Sequence, residues 1–320
     1  MKRRTIVIGM CAGFIGASVK GAPSPNLKAA GENSSQQPPA KGVQTLMTGL
    51  AFGESPRWHD HRLWFSNWVA QEIVAVDLKG KSEVMVRVPF ESFPFSIDWL
   101  PNGRLLIVSA SDRPLLRREP DGSLVTHTNL SGLSARGWNE IVVDGRGNIY
   151  INGGGIAGEK FETGIIALVT PDGVARQVAD GLAFPNGMAV TPDNSTLIVA
   201  ESFGKRLTAF DIAADGGLSK RRVWADLKGG APDGICIDAD NAVWYADVPN
   251  KRCVRVREGG KVLQTVNLDR GCFACALGGA DKRTLFMVAA EWRGFTNMTD
   301  GSRTGQVLTI KAPARGVGWP

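Results

Sequence analysis

One pattern recurs along the chain: an apolar strand, a polar Asp/Asn/Gly turn, then a second strand that opens on an aliphatic residue. It occurs as "SPRWHDHRLWFSN", "IDWLPNGRLLIVSA", "IVVDGRGNIYING", "MAVTPDNSTLIVAES", "ICIDADNAVWYAD" and "ALGGADKRTLFMVAA". The aliphatic markers are Leu63, Leu105, Ile149, Leu197, Val243 and Leu285, at gaps of 42, 44, 48, 46 and 42 residues. A hairpin repeated at a spacing in the forties is the signature of one four-stranded blade per unit. Further β-like segments ("EIVAVDL", "GIIALVT", "RLTAFDI") lie between the hairpins, and no long amphipathic helix interrupts them. The pattern predicts an all-β, six-bladed β-propeller over 43–320. An array of β-sandwiches is the competing architecture, and the even spacing argues against it.

The N-terminal residues read differently. "MKRR" precedes the uncharged run Thr5 to Val19, too short to span a bilayer comfortably. A basic stretch followed by an apolar run of this length predicts a signal peptide over 1–20, and export, with the periplasm as destination. Arg3-Arg4 suggests the twin-Arg type. Residues 21–42, rich in Pro, Ser and Gln, predict a disordered tether with no stable membrane span after processing. These segments also explain the charge. Residues 1–41 hold six Lys/Arg against one Glu, so the rest of the chain carries only +1 of the formal +6. No basic stripe is left to track phosphates, which excludes a nucleic-acid partner.

In a propeller the innermost strand of each blade lines a central channel, so equivalent positions converge on one axis. Counting back nine to eleven residues from each marker reaches Glu54, Ser96, Asn139 with Glu140, Asn186, Asp233 and Cys275. Most carry oxygen. "FGESP", "FPNGM" and "APDGI" put the polar residue beside a Gly, where backbone can approach closely. Two carboxylates and an amide oxygen brought together would repel and bury charge unless a cation joined them. An all-oxygen set favours one hard divalent cation, Ca²⁺ first, with Mg²⁺, Mn²⁺ or Zn²⁺ as alternatives.

Other chemistries find little support. The three His are His59, His61 and His127; the first two belong to the turn "WHDHR", away from the converging strand starts. There is no G-x-S-x-G elbow, H-E-x-x-H, P-loop or Rossmann glycine pattern. Cys272 and Cys275 form a C-x-x-C in an apolar, strand-like setting, where residues three apart point to opposite faces; buried thiols are expected.

The segments "FGESPRWH…RLWFS", "WNEIVVDGRGNIYIN", "FPNGMAVTPDNSTLIVAES", "PDGICIDADNAVWYAD" and "ACALGGADKRTLFMVAAEW" together resemble the gluconolactonase / senescence marker protein (regucalcin) family, from about Leu46 to Glu291. The resemblance implies a single divalent metal at the channel mouth, held by Glu54, Asn186 and Asp233, and hydrolysis of a lactone or related ester. It implies substrate contacts at Asn139, with Glu140 holding Asn139 or binding hydroxyls. Where animal members carry an Arg two residues before that Asn, this chain has Gly137, with Arg136 one step earlier as the candidate contact. Asp233 is the candidate general base. Two other functions remain open: a metal-containing propeller that binds a ligand without hydrolysing it, and a non-hydrolytic enzyme of the strictosidine-synthase kind.

Overall fold

The computed structural model describes residues 40–319, apart from 90–92, 111–113, 135–136, 155, 158–159 and 295–300. The expected signal peptide, nearly all of the tether, and Arg136 therefore lie outside the described residues. Every regular element among the described residues is a β-strand, and none is a helix long and apolar enough to cross a membrane.

The first strand, β1 (Gln44–Leu50), belongs to the last blade. Blade 1 is β2 (Gly53–His59), β3 (Arg62–Asn67), β4 (Glu72–Val76) and β5 (Ser82–Arg87). Blade 2 is β6 (Phe95–Trp99), β7 (Leu105–Ser109), β8 (Pro114–Arg118) and β9 (Leu124–Asn129). Blade 3 has β10 (Trp138–Val143) and β11 (Ile149–Gly153), then a two-stranded ribbon, β12 (Ile156–Ala157) with β13 (Lys160–Phe161), before β14 (Gly164–Val169) and β15 (Ala175–Leu182). Blade 4 is β16 (Pro185–Val190), β17 (Thr196–Glu201), β18 (Arg206–Ile212) and β19 (Leu218–Asp226). Blade 5 is β20 (Pro232–Asp238), β21 (Ala242–Asp247), β22 (Arg252–Arg257) and β23 (Val262–Asn267). Blade 6 is β24 (Gly271–Gly278), β25 (Thr284–Ala290) and β26 (Gly305–Lys311), completed on its outer edge by β1. A last short strand, β27 (Gly316–Val317), pairs with the far end of β20.

The hairpins read from the sequence are the first two strands of each blade. Each marker is the first or second residue of its blade's second strand, paired to the end of the first: Leu63 opposite Trp58, Leu197 opposite Val190, Val243 opposite Ile237. Both faces of the inner strands are buried, because each sheet is sandwiched between two others, so they read as near-continuous apolar runs. Leu63 and Phe65 pack toward blade 6, while Trp64 packs toward blade 2. Six apolar clusters result, one between each pair of neighbouring blades.

Register defines the channel end. The ladder between first and second strand is interrupted by a bulge at the start of β2, β10, β16, β20 and β24, whereas β6 pairs with β7 without a break. A bulge re-aims side chains and strengthens local twist. Here the re-aimed residues are those at the channel end, and the unbulged blade is the one that presents only Ser96.

The glycines of "PNG" and "PDG" serve close packing between blades. A Cβ on Gly187 would lie 2.5 Å from the Asp233 carbonyl oxygen and 2.7 Å from the Ile235 nitrogen; one on Gly234 would lie 2.6 Å from the Ala274 Cβ. Backbone of one innermost strand thus rests directly on the next. Gly187→Ala should therefore destabilise the fold by about 1–3 kcal/mol, the usual cost of overpacking. Urea denaturation checks this; an unchanged midpoint would show that blades 4 and 5 can separate at no cost.

Candidate active site at the channel end

Glu54, Ser96, Asn139, Asn186 and Asp233 are each the second residue of an innermost strand: β2, β6, β10, β16 and β20. The convergence read from their spacing is present. In blade 6 the equivalent second residue is Cys272, and Cys275 lies three residues further along β24. The marker Leu285 pairs with Leu277, eight residues back, where the markers of the other blades pair five to seven residues back, so a fixed offset landed too deep. All four cysteines among the described residues are buried free thiols.

Glu54, Asn139, Glu140 and Asn186 are buried, and Asp233 is partly open. The Asn139 amide donates to Asn186 Oδ1 at 3.4 Å, and Asn186 Nδ2 donates to the Ser202 hydroxyl at 3.4 Å. The Asn186 carbonyl accepts from Asn152 Nδ2 at 2.6 Å, which fixes this turn of β16. Ser96 Oγ donates to the Asn139 carbonyl at 2.7 Å, so the blade without a ligand candidate still positions one of its neighbours.

Carboxylates crowd this end. Burial, then the charges of Asp233 and Glu140, hold the Glu54 carboxyl well above its ordinary value, opposed by the Ser55 amide. Burial, then Glu140, raise Asp233 likewise, while a hydrogen bond from Asn186 pulls it down. Deeper in, burial pushes Asp98 up to about 6, against the nearby Arg57 guanidinium and the Val143 and Trp99 amides.

Arg57 and Ser55 are the residues that spacing arguments missed. The buried Arg57 places Nη2 3.1 Å from Glu140 Oε1 and 2.6 Å from the Ile141 carbonyl, with Nε 3.8 Å from Asp98. Ser55, at the unusual φ of 51°, donates to Glu140 at 3.2 Å and accepts from the Ile97 amide at 3.1 Å. Glu140 is thus engaged by Arg57, Ser55 and the Ile141 amide, whereas the sequence had given it Asn139 or substrate hydroxyls. The "SPR" following Glu54 carries the signal, but only the fold shows which carboxylates those side chains meet.

The His residues are elsewhere. His59 ends β2, at the opposite end from Glu54, and stacks on Trp99 at 4.2 Å; His61 sits in the following turn, and His127 lies on the outer strand β9. A Ser/His/Asp triad has no imidazole near this channel end among the described residues. Gly137 has no room for a side chain either: its Cβ would fall 2.4 Å from the Ala110 carbonyl oxygen.

The donor set fits a hard cation. Arg57 is committed to Glu140 and Asp98, which leaves Glu54 and Asp233 without a cationic partner among the described residues. Among the described residues no three His, Cys, Asp or Glu side chains are arranged to hold a metal ion by themselves. The oxygen of Asn186, which accepts from the Asn139 amide while the Asn186 amide nitrogen donates to Asp233, is the member that a set of carboxylates alone lacks.

Known proteins share this framework. A family model described as the SMP-30/gluconolactonase/LRE-like region matches residues 52–291. The chain is 30% identical to diisopropyl-fluorophosphatase of Loligo vulgaris over 56% of this chain and 63% of that protein, a little under two thirds of its length. It is 24% identical to 6-deoxy-6-sulfogluconolactonase of Pseudomonas putida over 84% of this chain and 94% of that one. A crystal structure of a calcium-binding protein, regucalcin, from Agrobacterium tumefaciens superposes with a TM-score of 0.71, covering 88% of this chain and 96% of that one at 24% identity.

Raised carboxyl pKa values make stability depend on pH. Glu54, Asp98 and Asp233 bind protons more tightly in the metal-free fold than in the unfolded chain, where such groups titrate near 4. Their contribution is full below about pH 4 and is lost as pH rises toward the folded values. The Tm of chelated protein should fall between about pH 4 and 7, and Ca²⁺ should restore more of it at about pH 7 than at pH 5, because metal binding displaces protons. A Ca²⁺ effect independent of pH would separate the cation from these carboxyls.

Proposed function

Because the chain belongs to the SMP-30/gluconolactonase/LRE-like family, we propose that it is a divalent-metal-dependent hydrolase of a lactone or related ester. The observation that carries this reading is the pair of carboxylates, Glu54 and Asp233, raised together beside the Asn186 amide at the partly open end of the channel. Ca²⁺ is the first choice of cation, in keeping with the oxygen donors and with a calcium-binding structural relative. Two relatives are named for hydrolytic activities, a sulfogluconolactonase and a fluorophosphatase.

When bound, the cation would polarise the ester carbonyl and stabilise the tetrahedral oxyanion. The remaining tasks fall to the protein. Glu54, Asn186 and Asp233 would hold the ion. Asp233, partly open, also faces incoming water and accepts its proton as general base. Asn139, anchored through Ser96 and its contact with Asn186, orients the substrate. Glu140 keeps Asn139's strand in place through Arg57 and Ser55 rather than meeting substrate.

Part of the rim is apolar: Phe203 is exposed and Trp292 partly so, backed by the buried Phe184 and Phe273, beside the starts of innermost strands. With no side chain accommodated at Gly137, this rim favours a lactone or aryl ester with few hydroxyls over a polyhydroxylated sugar lactone. Export remains part of the proposal, carried by "MKRR" and the uncharged run behind it.

Asp233→Asn keeps an oxygen and the shape but removes the proton acceptor. Turnover of the best substrate from a panel of aldonolactones, aryl esters and acyl-homoserine lactones, at saturating Ca²⁺, should fall by roughly 10²–10⁴-fold. His59→Gln, at the other end of β2, should leave turnover unchanged. Equal turnover in wild type and Asp233→Asn, with metal bound in both, would overturn the hydrolytic role of Asp233, and no turnover of any panel member by metal-loaded wild type would favour a ligand-binding propeller.

A further inference from the structure

All four cysteines among the described residues belong to one place, the core between blades 5 and 6. They come from three strands: Cys236 on β20, Cys253 on β22, and Cys272 and Cys275 on β24. The other five blade interfaces are filled by aliphatic and aromatic side chains. Cys236 Sγ and Cys275 Sγ face each other at 3.9 Å, from innermost strands that share no ladder hydrogen bonds.

We propose that Cys236 and Cys275 are a dithiol that a hydroperoxide converts into an inter-blade disulfide, and that this bond displaces the Asp233 end of the channel. The pair needs to close by only about 1.9 Å to reach the ~2.05 Å bond length of a disulfide. Chemically, one thiolate attacks the peroxide. The O–O bond breaks, the alcohol or water departs, and the sulfur becomes a sulfenic acid. The second thiolate then attacks that sulfur; the S–S bond forms, the S–O bond breaks, and water leaves. Two thiols and one hydroperoxide thus give one disulfide, one water and one alcohol (a second water when the oxidant is hydrogen peroxide). Both residues are only 2% exposed, so a bulky thiol reagent is excluded and the oxidant has to be as small as a hydroperoxide.

The connection to Asp233 is through backbone. The Cys275 Sγ lies 3.5 Å from the Gly234 carbonyl oxygen and 3.6 Å from that of Trp244, and its one S–H donates to this pair of acceptors. A disulfide removes that donor and draws the sulfur toward Cys236. Gly234, next in chain to Asp233, already rests against Ala274 so closely that even a Cβ would meet it at 2.6 Å. With no slack for β20 and β24 to move together, the strain is relieved by shifting the Asp233 turn. This second half rests on the metal-hydrolase reading above. Displacement of a ligand's support should weaken Ca²⁺ binding by about tenfold or more, as loss of such supporting contacts does at other metal sites.

The test treats full-length protein with hydrogen peroxide, then denatures, alkylates and maps it by mass. Loss of two of the five thiols, with a disulfide joining the peptides of Cys236 and Cys275, is the expected result. Cys236→Ala and Cys275→Ser, each expected to fold, should form no disulfide at the same dose, and a bulky maleimide should label native wild type far more slowly than denatured protein. A disulfide joining Cys253 to Cys272, or no disulfide at all, overturns the proposal. Ca²⁺-induced shifts in Tm are then compared for oxidised and dithiothreitol-reduced wild type. Equal Ca²⁺ responses with the expected disulfide in place overturn the link to Asp233. No Ca²⁺ response in either form counts against the metal reading and the link, and leaves the dithiol standing on its mass evidence.

Discussion

Everything at the channel end depends on the ring closing. The closure is the pairing of β1 with β26, from Gln44 opposite Thr309 to Leu50 opposite Gly305, across nearly the whole length of the chain. It gives blade 6 its fourth strand and ties the first blade to the last. Glu54 on blade 1 and Asp233 on blade 5 then face a common axis, although 179 positions separate them in the sequence. Long-range contacts of this kind are costly to form, because loop closure must precede the apolar burial that rewards it. Once formed, they make a ring whose innermost strands cannot move singly. The backbone contacts at Gly187 and Gly234 show how little clearance remains.

That rigidity lets the protein hold an arrangement that a looser fold would relax. Glu54 and Asp233 sit near Glu140 and Asp98, and the guanidinium of Arg57 answers only the latter two. Burying uncompensated carboxylates costs stability, and the raised pKa values are that cost expressed in protons. Active sites concentrate such perturbations, because charge left unsatisfied in the free protein is what a cation or a developing charge can satisfy later. Arg57 sharpens the division: by neutralising the deeper pair it leaves the uncompensated charge at the mouth.

The blades were legible in the sequence because each hairpin turn is local. Asp/Asn/Gly turns and aliphatic strand openings recur with a period that needs no knowledge of the tertiary structure. The site was legible for a related reason, since a fixed offset within a repeat becomes a fixed height in the channel. It failed once, at Cys275, because the hairpin of blade 6 is longer, with Leu285 paired eight residues back at Leu277. Contacts between blades were not legible. Arg57 meets Glu140 across 83 positions and Cys236 meets Cys275 across 39, with no periodic signal at either distance. The inserted ribbon β12–β13 was equally silent, since two short strands add length to one repeat without disturbing its turns.

The C-terminal residues complete the asymmetry of the channel. After β26 the chain pairs Gly316 and Val317 with Asp238 and Ile237, the end of β20 remote from Asp233. Trp319 then exchanges both backbone hydrogen bonds with Val190, at the far end of β16 from Asn186, and its ring lies over Gly145 beyond β10. A single segment therefore crosses the far ends of three innermost strands, those that begin with Asn139, Asn186 and Asp233. It supplies partners to backbone groups of β16 and β20, and it ties blades 3, 4 and 5 together at that end, as side-chain hydrogen bonds such as Asn152 to the Asn186 carbonyl do at the other. On the proposed function, substrate and cation would approach from the bulged end, where the carboxylates and the amides are gathered.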